Sequence, residues 1–174
     1  FWTAAELRPD AGGSPVCPNC RRPLEATTEE GWYLQLRAAQ PWLTGFLKTH
    51  PAFIRPEPRY NEVASLLEQP LPEYLCITRP RKRVGWGIEV PFSAEHVVYV
   101  WFDALLNYIT VPGYVSDPQR FARLWPADVH VIGKDILRHH AVYWPIMLHA
   151  LGLADEQMPK QIFAHGWWKI GEQK

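Results

Sequence analysis

Between residues 97 and 166 the sequence repeats one syntax: an apolar run, a short polar turn, then a helical pattern. Val97-Val98-Tyr99-Val100-Trp101-Phe102 reads as a strand, with Asp103 as N-cap of a helix Ala104–Ile109. Val129–Ile132 reads as a second strand, Gly133-Lys134-Asp135 as its turn, and Ile136–Leu151 as a helix closed by Gly152. Gln161–Ala164 is a third strand, ending at His165-Gly166. Strands alternating with helices predict an α/β fold with a parallel sheet. In such sheets ligands bind beyond the carboxyl ends of the strands.

The chain ahead of that region has a different texture. Residues 1–30 are polar and turn-rich, with Gly-Gly-Ser-Pro at 12–15, and read as a small irregular module. Residues 31–72 read as a helical segment in which Pro41 opens one helix. Asn61 is the expected N-cap of another, running through Leu67 and ended by Pro70 and Pro72. The α/β part then covers residues 73–174.

Composition narrows the classes. Eighteen Lys and Arg balance 18 Asp and Glu, so the chain lacks the basic excess of a general nucleic-acid binder. A 47% hydrophobic content excludes wholesale disorder, and no apolar run is long enough to span a membrane. Phe1-Trp-Thr-Ala-Ala-Glu-Leu-Arg-Pro-Asp10 has neither the basic start nor the apolar run of a signal peptide. With a Cys-x-x-Cys pair, that predicts a reducing, cytoplasmic setting. A chain opening on Phe1 rather than Met is expected to lack its true amino terminus.

Cys17-Pro-Asn-Cys20 has the spacing of one turn of a zinc knuckle, since two thiolates two residues apart can reach one tetrahedral ion. A closed site needs two further ligands, expected upstream of Phe1. A metal-free turn and a redox dithiol are the other readings; the last lacks the strand before and the helix after that it requires.

The sheet-edge rule then selects residues. Trp101 and Asp103 end one strand and Tyr108 projects from the next helix. Gly133, Lys134 and Asp135 form the second turn. Ile136, His140 and Trp144 lie at steps of four on one helix face, and His165 and Gly166 end the third strand. Convergence on one crevice would give aromatic walls, an imidazole and a carboxylate, suited to a small apolar ligand with polar handles. Each has a plainer reading. The Ile136/His140/Trp144 stripe and Trp101 would be core packing, the Gly-Lys-Asp turn a helix cap, and Arg79–Arg83 a solvated loop rather than a contact for tRNA or phosphate.

In these residues the sequence resembles the methionyl-tRNA synthetases, class I aminoacyl-tRNA synthetases. The carriers, in order, are Cys17-Pro-Asn-Cys20, Ile77-Thr-Arg79, Gly85-Trp-Gly-Ile-Glu89-Val-Pro91, Tyr99-Val-Trp-Phe-Asp-Ala-Leu-Leu-Asn-Tyr108, His130-Val-Ile-Gly-Lys-Asp-Ile136 with Trp144-Pro145, and His165-Gly166. The resemblance implies the second half of a Rossmann-like catalytic domain preceded by part of a connective zinc-knuckle module. It implies a methionine pocket of Trp101, Ala104, Leu105, Tyr108, Ile136, His140 and Trp144, Leu105 standing where other members have Pro. Sulfur would gain from the aromatic walls, and His140 or Tyr108 would hydrogen-bond it.

ATP contacts would fall to Glu89, Gly133 and Asp135 at the ribose, with His165 and Gly166 near the adenine. The implied substrates are L-methionine, ATP with Mg2+, and tRNA(Met), with structural Zn2+ at Cys17 and Cys20. The family's His-Ile-Gly-His segment is absent, and its Lys-Met-Ser-Lys-Ser loop would only begin at Lys174. The expectation is therefore an internal portion of such an enzyme, inactive by itself. The competing expectation is a non-catalytic, synthetase-derived module that binds RNA or protein.

Overall fold

Helices and strands alternate along the chain, but they build two different kinds of sheet. In the computed structural model, which describes residues 16, 17, 19–24, 28–167 and 171, packing separates unit 1–30 from unit 31–174. In the first unit Val16 and Pro23 form an antiparallel bridge. The Cys17 carbonyl accepts from Arg21 N–H at 2.8 Å, and Cys17 N–H donates to Arg22 O at 2.9 Å. Arg21 takes the left-handed conformation that such a tight reversal needs, with φ 59°.

In the second unit the elements are β1 (Tyr33–Gln35), α1 (Gln40–Thr49), β2 (Ile54–Arg55), α2 (Glu57–Leu67), β3 (Tyr74–Cys76), β4 (Thr78–Pro80), β5 (Glu89–Val90) and β6 (Ser93–Val98). They continue with α3 (Val100–Thr110), α4 (Pro118–Leu124), β7 (His130–Gly133), α5 (Trp144–Ala150) and β8 (Ile162–His165). The parallel sheet has the order β2-β8-β7. Ile54 and His130 both pair with Ile162, from opposite sides of β8. A second sheet, β4-β6-β5, is antiparallel, and β1 pairs antiparallel with β3.

The parallel α/β expectation therefore holds for residues 130–165, but not for the first strand-to-helix step. The strand expected over 97–102 ends at Val98, and α3 begins at Val100 with Tyr99 as its N-cap rather than Asp103. Tyr99 N–H bonds to Ile77 O, while Tyr99 O accepts from Phe102 and Asp103 N–H. The helical period starts at Phe102 and runs through Leu105, Leu106 and Ile109, at steps of three and four. Packing of that face overrides the strand propensity of the β-branched and aromatic residues before it. Similarly, α2 starts at Glu57, four residues ahead of the expected Asn61 cap. Pro58 sits in its first turn, where its missing N–H leaves no helical bond unmade.

The expected helix Ile136–Leu151 is broken into three. A 3-10 turn covers Lys134–Ile136, a π-helical turn covers His139–Tyr143, and α5 follows. Pro145 gives the physical reason. It cannot donate, and its ring would press on the carbonyl four residues back, at Ala141. The backbone widens, and Trp144 N–H reaches back five residues to His139 O. Gly152, with φ +85°, ends α5 in a Schellman motif: its N–H bonds to His149 O and Leu153 N–H to Leu148 O.

A single core joins both parts of the second unit. Leu43, Phe46 and Leu47 of α1 and Ile54 of β2 pack in the same cluster as Leu105, Trp144 and Ile162. Gln40, at the start of α1, ties the proline-rich exit of α2 to this core. Its Nε2 donates to Leu67 O and Gln69 O, both at 2.9 Å, and its Oε1 accepts from Leu71 N–H at 2.8 Å. Gln40→Ala leaves these backbone groups, those of Leu67 and Leu71 partly buried, without that partner, so it should cost about 2 kcal/mol. Urea denaturation of the variant measures this, and an unchanged midpoint would mean that water replaces the amide without loss.

Candidate functional site

Four rings from four elements meet in the core. Tyr108 comes from α3, His130 from β7, His140 from the π turn and Trp144 from α5. Trp144 has no exposed surface and His140 has 3%. At such burial polar atoms need partners, and Trp144 Nε1 and both His140 nitrogens find them. His140 Nδ1 lies 3.0 Å from Ile136 O; a carbonyl only accepts, so Nδ1 carries the proton. His140 Nε2 is then the lone-pair nitrogen and accepts from the Tyr108 hydroxyl at 2.9 Å. The Trp144 indole N–H donates to His130 Nε2 at 3.3 Å. Trp125 closes the far side, its indole N–H on Gln157 O at 2.7 Å and its ring 6.2 Å from His130.

The cluster is electrically neutral near pH 7. Burial, then the neighbouring His140, pushes His130 down to about 4. Burial lowers His140 as well, against the opposing hydrogen bond to the Ile136 carbonyl. His139 is lowered by burial, then by His140 and Arg138. Burial also raises the Tyr108 phenol.

The expected single pocket is resolved into two neighbouring places. Tyr108, His140 and Trp144 form the packed cluster, with Ile136 beneath it through its carbonyl. Trp101 and Leu105 face a cavity of about 240 Å³ instead, shared with Leu75, Cys76, Arg79, Tyr99, Phe102, His139, Tyr143 and Met147. The Trp101 ring stacks on His139 at 4.1 Å. Ala104 is exposed on α3. The hydrogen bond expected from His140 or Tyr108 to a sulfur is not available in this arrangement, because each donor is already spent within the cluster.

Gly133, Asp135, His165 and Gly166, four of the five residues expected at ATP, lie at the carboxyl edge of the parallel sheet. Gly133 ends β7 and pairs in register with His165 of β8. A Cβ on Gly133 would meet Asp135 Oδ1 at 2.6 Å, so only glycine lets the carboxylate lie over that turn. His165 Nδ1 bonds to Gly166 O at 2.6 Å, and Lys134 lies 5.9 Å from the Trp167 ring. Glu89 stands apart on the antiparallel sheet, where Arg81 holds its carboxylate at 2.8 Å. Of the run expected as a basic loop, Arg79 lies in β4 and covers the Tyr99 ring at 3.9 Å.

Two sequence-selected groups gain no completed site. Cys17 and Cys20 lie on the turn of the first unit, and among the described residues no three His, Cys, Asp or Glu side chains converge on one point. A closed structural zinc site needs four ligands, and the described residues bring no more than this pair to the turn. Lys174 lies outside the described residues. His130 and Trp125 are the members that sequence reasoning missed. The signal for His130 was alternation, since it shares a strand face with buried Ile132.

A parallel α/β sheet with a glycine-carboxylate turn at its carboxyl edge has the ligand-binding place of the open α/β folds, and its strand β7 also carries His130 of the buried ring cluster. A family model described as tRNA synthetases class I (M) matches residues 3–174. The chain is 46% identical to the methionine–tRNA ligase of Clostridium perfringens over 168 residues, 96% of this chain and 24% of that enzyme. It is 40% identical to that of Thermotoga maritima over 174 residues, 27% of the relative's length. Methionyl-tRNA synthetase of Mycobacterium tuberculosis, solved with methionyl-adenylate, superposes with a TM-score of 0.80 at 40% identity, covering 95% of this chain and 32% of that one. The chain belongs to the class I tRNA synthetase family, in its methionyl branch. It spans about a quarter to a third of the length of these relatives. Among the described residues no helix is long and apolar enough to cross a membrane.

The lowered histidines make stability depend on pH. Between the folded value and the ordinary 6.5, the unfolded chain binds more protons than the folded one. Stability is therefore fully present above about 6.5 and declines as pH falls toward about 4, by up to about 3 kcal/mol for His130 alone. Denaturant midpoints at pH 7.5 and pH 5 should differ in that sense, and His130→Phe should flatten the dependence.

Proposed function

We propose that the natural gene product carrying these residues activates L-methionine with ATP and transfers it to tRNA(Met). The observation that carries this reading is a cavity of about 240 Å³ lined from α3, the π turn and α5, the same elements that bring the neutral rings Tyr108, His140 and Trp144 together. That cavity is below the roughly 300–1,000 Å³ of drug-sized sites and suits a single amino-acid side chain. A thioether gains from ring faces and edges without needing a strong donor. Trp101 and Leu105 would line the entry, Ala104 its rim, and Ile136, through His140, would hold the back wall in one tautomer.

Gly133, Asp135, His165 and Gly166 would take the ATP nucleoside, with Glu89 joining them on release from Arg81. In the first step a methionine carboxylate oxygen attacks the α-phosphorus, the bond to the bridging oxygen breaks, and pyrophosphate leaves. A terminal ribose hydroxyl of tRNA then attacks the carbonyl carbon of the adenylate, its proton is lost, and AMP leaves. What these residues contribute is alignment of the two reactants. Mg2+ bound to the ATP phosphates offsets their charge. Zinc at Cys17 and Cys20 would need two ligands beyond them, and no step passes through it.

In domain terms, residues 1–30 would be part of the connective module, 31–72 its helical continuation and 73–174 the second half of the catalytic domain. A reducing, cytoplasmic setting would suit both the thiols and the tRNA substrate.

Pyrophosphate exchange by the natural gene product tests the reading. Exchange should depend on methionine, with norleucine and leucine far weaker. An equal response to leucine, or none to any amino acid, would overturn it and favour a binding module. His140→Ala frees the Tyr108 hydroxyl and opens the wall. It should lower kcat/KM for methionine about tenfold, the worth of one buried hydrogen bond.

A further inference from the structure

His130 lies outside every residue set assigned a ligand above, yet it touches both rings on which the proposed pocket depends. Trp144 donates its indole N–H to His130 Nε2, and the Tyr108 ring lies 4.1 Å from the imidazole at 35°. Its backbone is fixed by the sheet: His130 N–H donates to Gln161 O at 2.8 Å, and its Cα pairs with Ile162. We infer that His130 is a positioning residue, which sets the orientations of Trp144 and Tyr108 from the sheet and thereby the affinity for methionine. The functional half of this inference rests on the methionine-activating reading; the geometric half does not.

The chemistry asks for an imidazole here. The ring must accept at Nε2, so its proton sits on Nδ1, and it must present a flat face to Tyr108. Phenylalanine would keep the face and orphan an indole N–H on a side chain with no exposed surface. Glutamine would keep an acceptor and lose the face. A charged imidazole could not accept at all. Of the rings around His130, Tyr108 and His140 are the titratable ones, and burial keeps both uncharged at neutral pH.

The test uses the natural gene product labelled with 15N-tryptophan, the Trp144 indole resonance being assigned by its loss in Trp144→Phe. In H130F that resonance should move, and the KM for methionine should rise about tenfold, as for one lost buried hydrogen bond, with the KM for ATP unchanged. H130Q should restore both in part. An unmoved resonance with unchanged methionine KM overturns the inference. So does a parallel loss in kcat and in both KM values, which marks a merely structural residue. Should the unmutated protein ignore methionine, the functional reading fails while the resonance still reports on positioning. If H130F does not fold, the imidazole tautomer of the unmutated protein decides: a bare Nε2 supports the inference, and a protonated Nε2 overturns it.

Discussion

Removal of the Trp144 ring from water is the constraint to which the neighbouring structure answers. An indole buried without exposed surface must find an acceptor inside the protein, or its N–H costs about 1–3 kcal/mol. The acceptor is an imidazole on a strand, so α5 must lie against the parallel sheet at a set height. His140 must likewise keep its lone pair for Tyr108, which fixes the approach of α3. The π turn meets these demands together. It gives Pro145 room and still aims consecutive residues, His139 and His140, at two different places: the cavity beside Trp101 and the ring cluster.

Much of this was legible in order along the chain. The strand-turn-helix step at 129–152 and the strand at 161–164 rest on short-range patterns, and the strands they give match the sheet. The reading failed where tertiary contacts compete with local preference. Val100 and Trp101 have strand propensity but join α3, because the face from Phe102 to Ile109 finds the core. Steps of four at Ile136, His140 and Trp144 implied a regular helix; Pro145 carried the warning. The two-residue strand β2 offers no periodicity, so its place in the parallel sheet was invisible.

The candidate site was legible by residue type rather than by arrangement. Tyr108, His140 and Trp144 do meet, and Gly133 does face His165. What the sequence could not supply was the direction of each proton. A histidine four residues after an isoleucine can bond its carbonyl only once the turn geometry is known, and that bond alone decides whether Tyr108 is a donor or an acceptor toward the site. Glu89 shows the opposite failure, a residue in a matching motif whose carboxylate is held by Arg81, which follows β4.

The position of β8 has a consequence for biosynthesis. Among the described residues it lies between β2 and β7 and follows both in the chain, so Ile54 and His130 wait for Ile162. At a synthesis rate of about 5–20 residues per second, β2 leaves the ribosome about 5–20 s before its partner. Through that interval an apolar edge is open to wrong pairing. Its brevity, two residues with one charged, gives a competing strand little to bind.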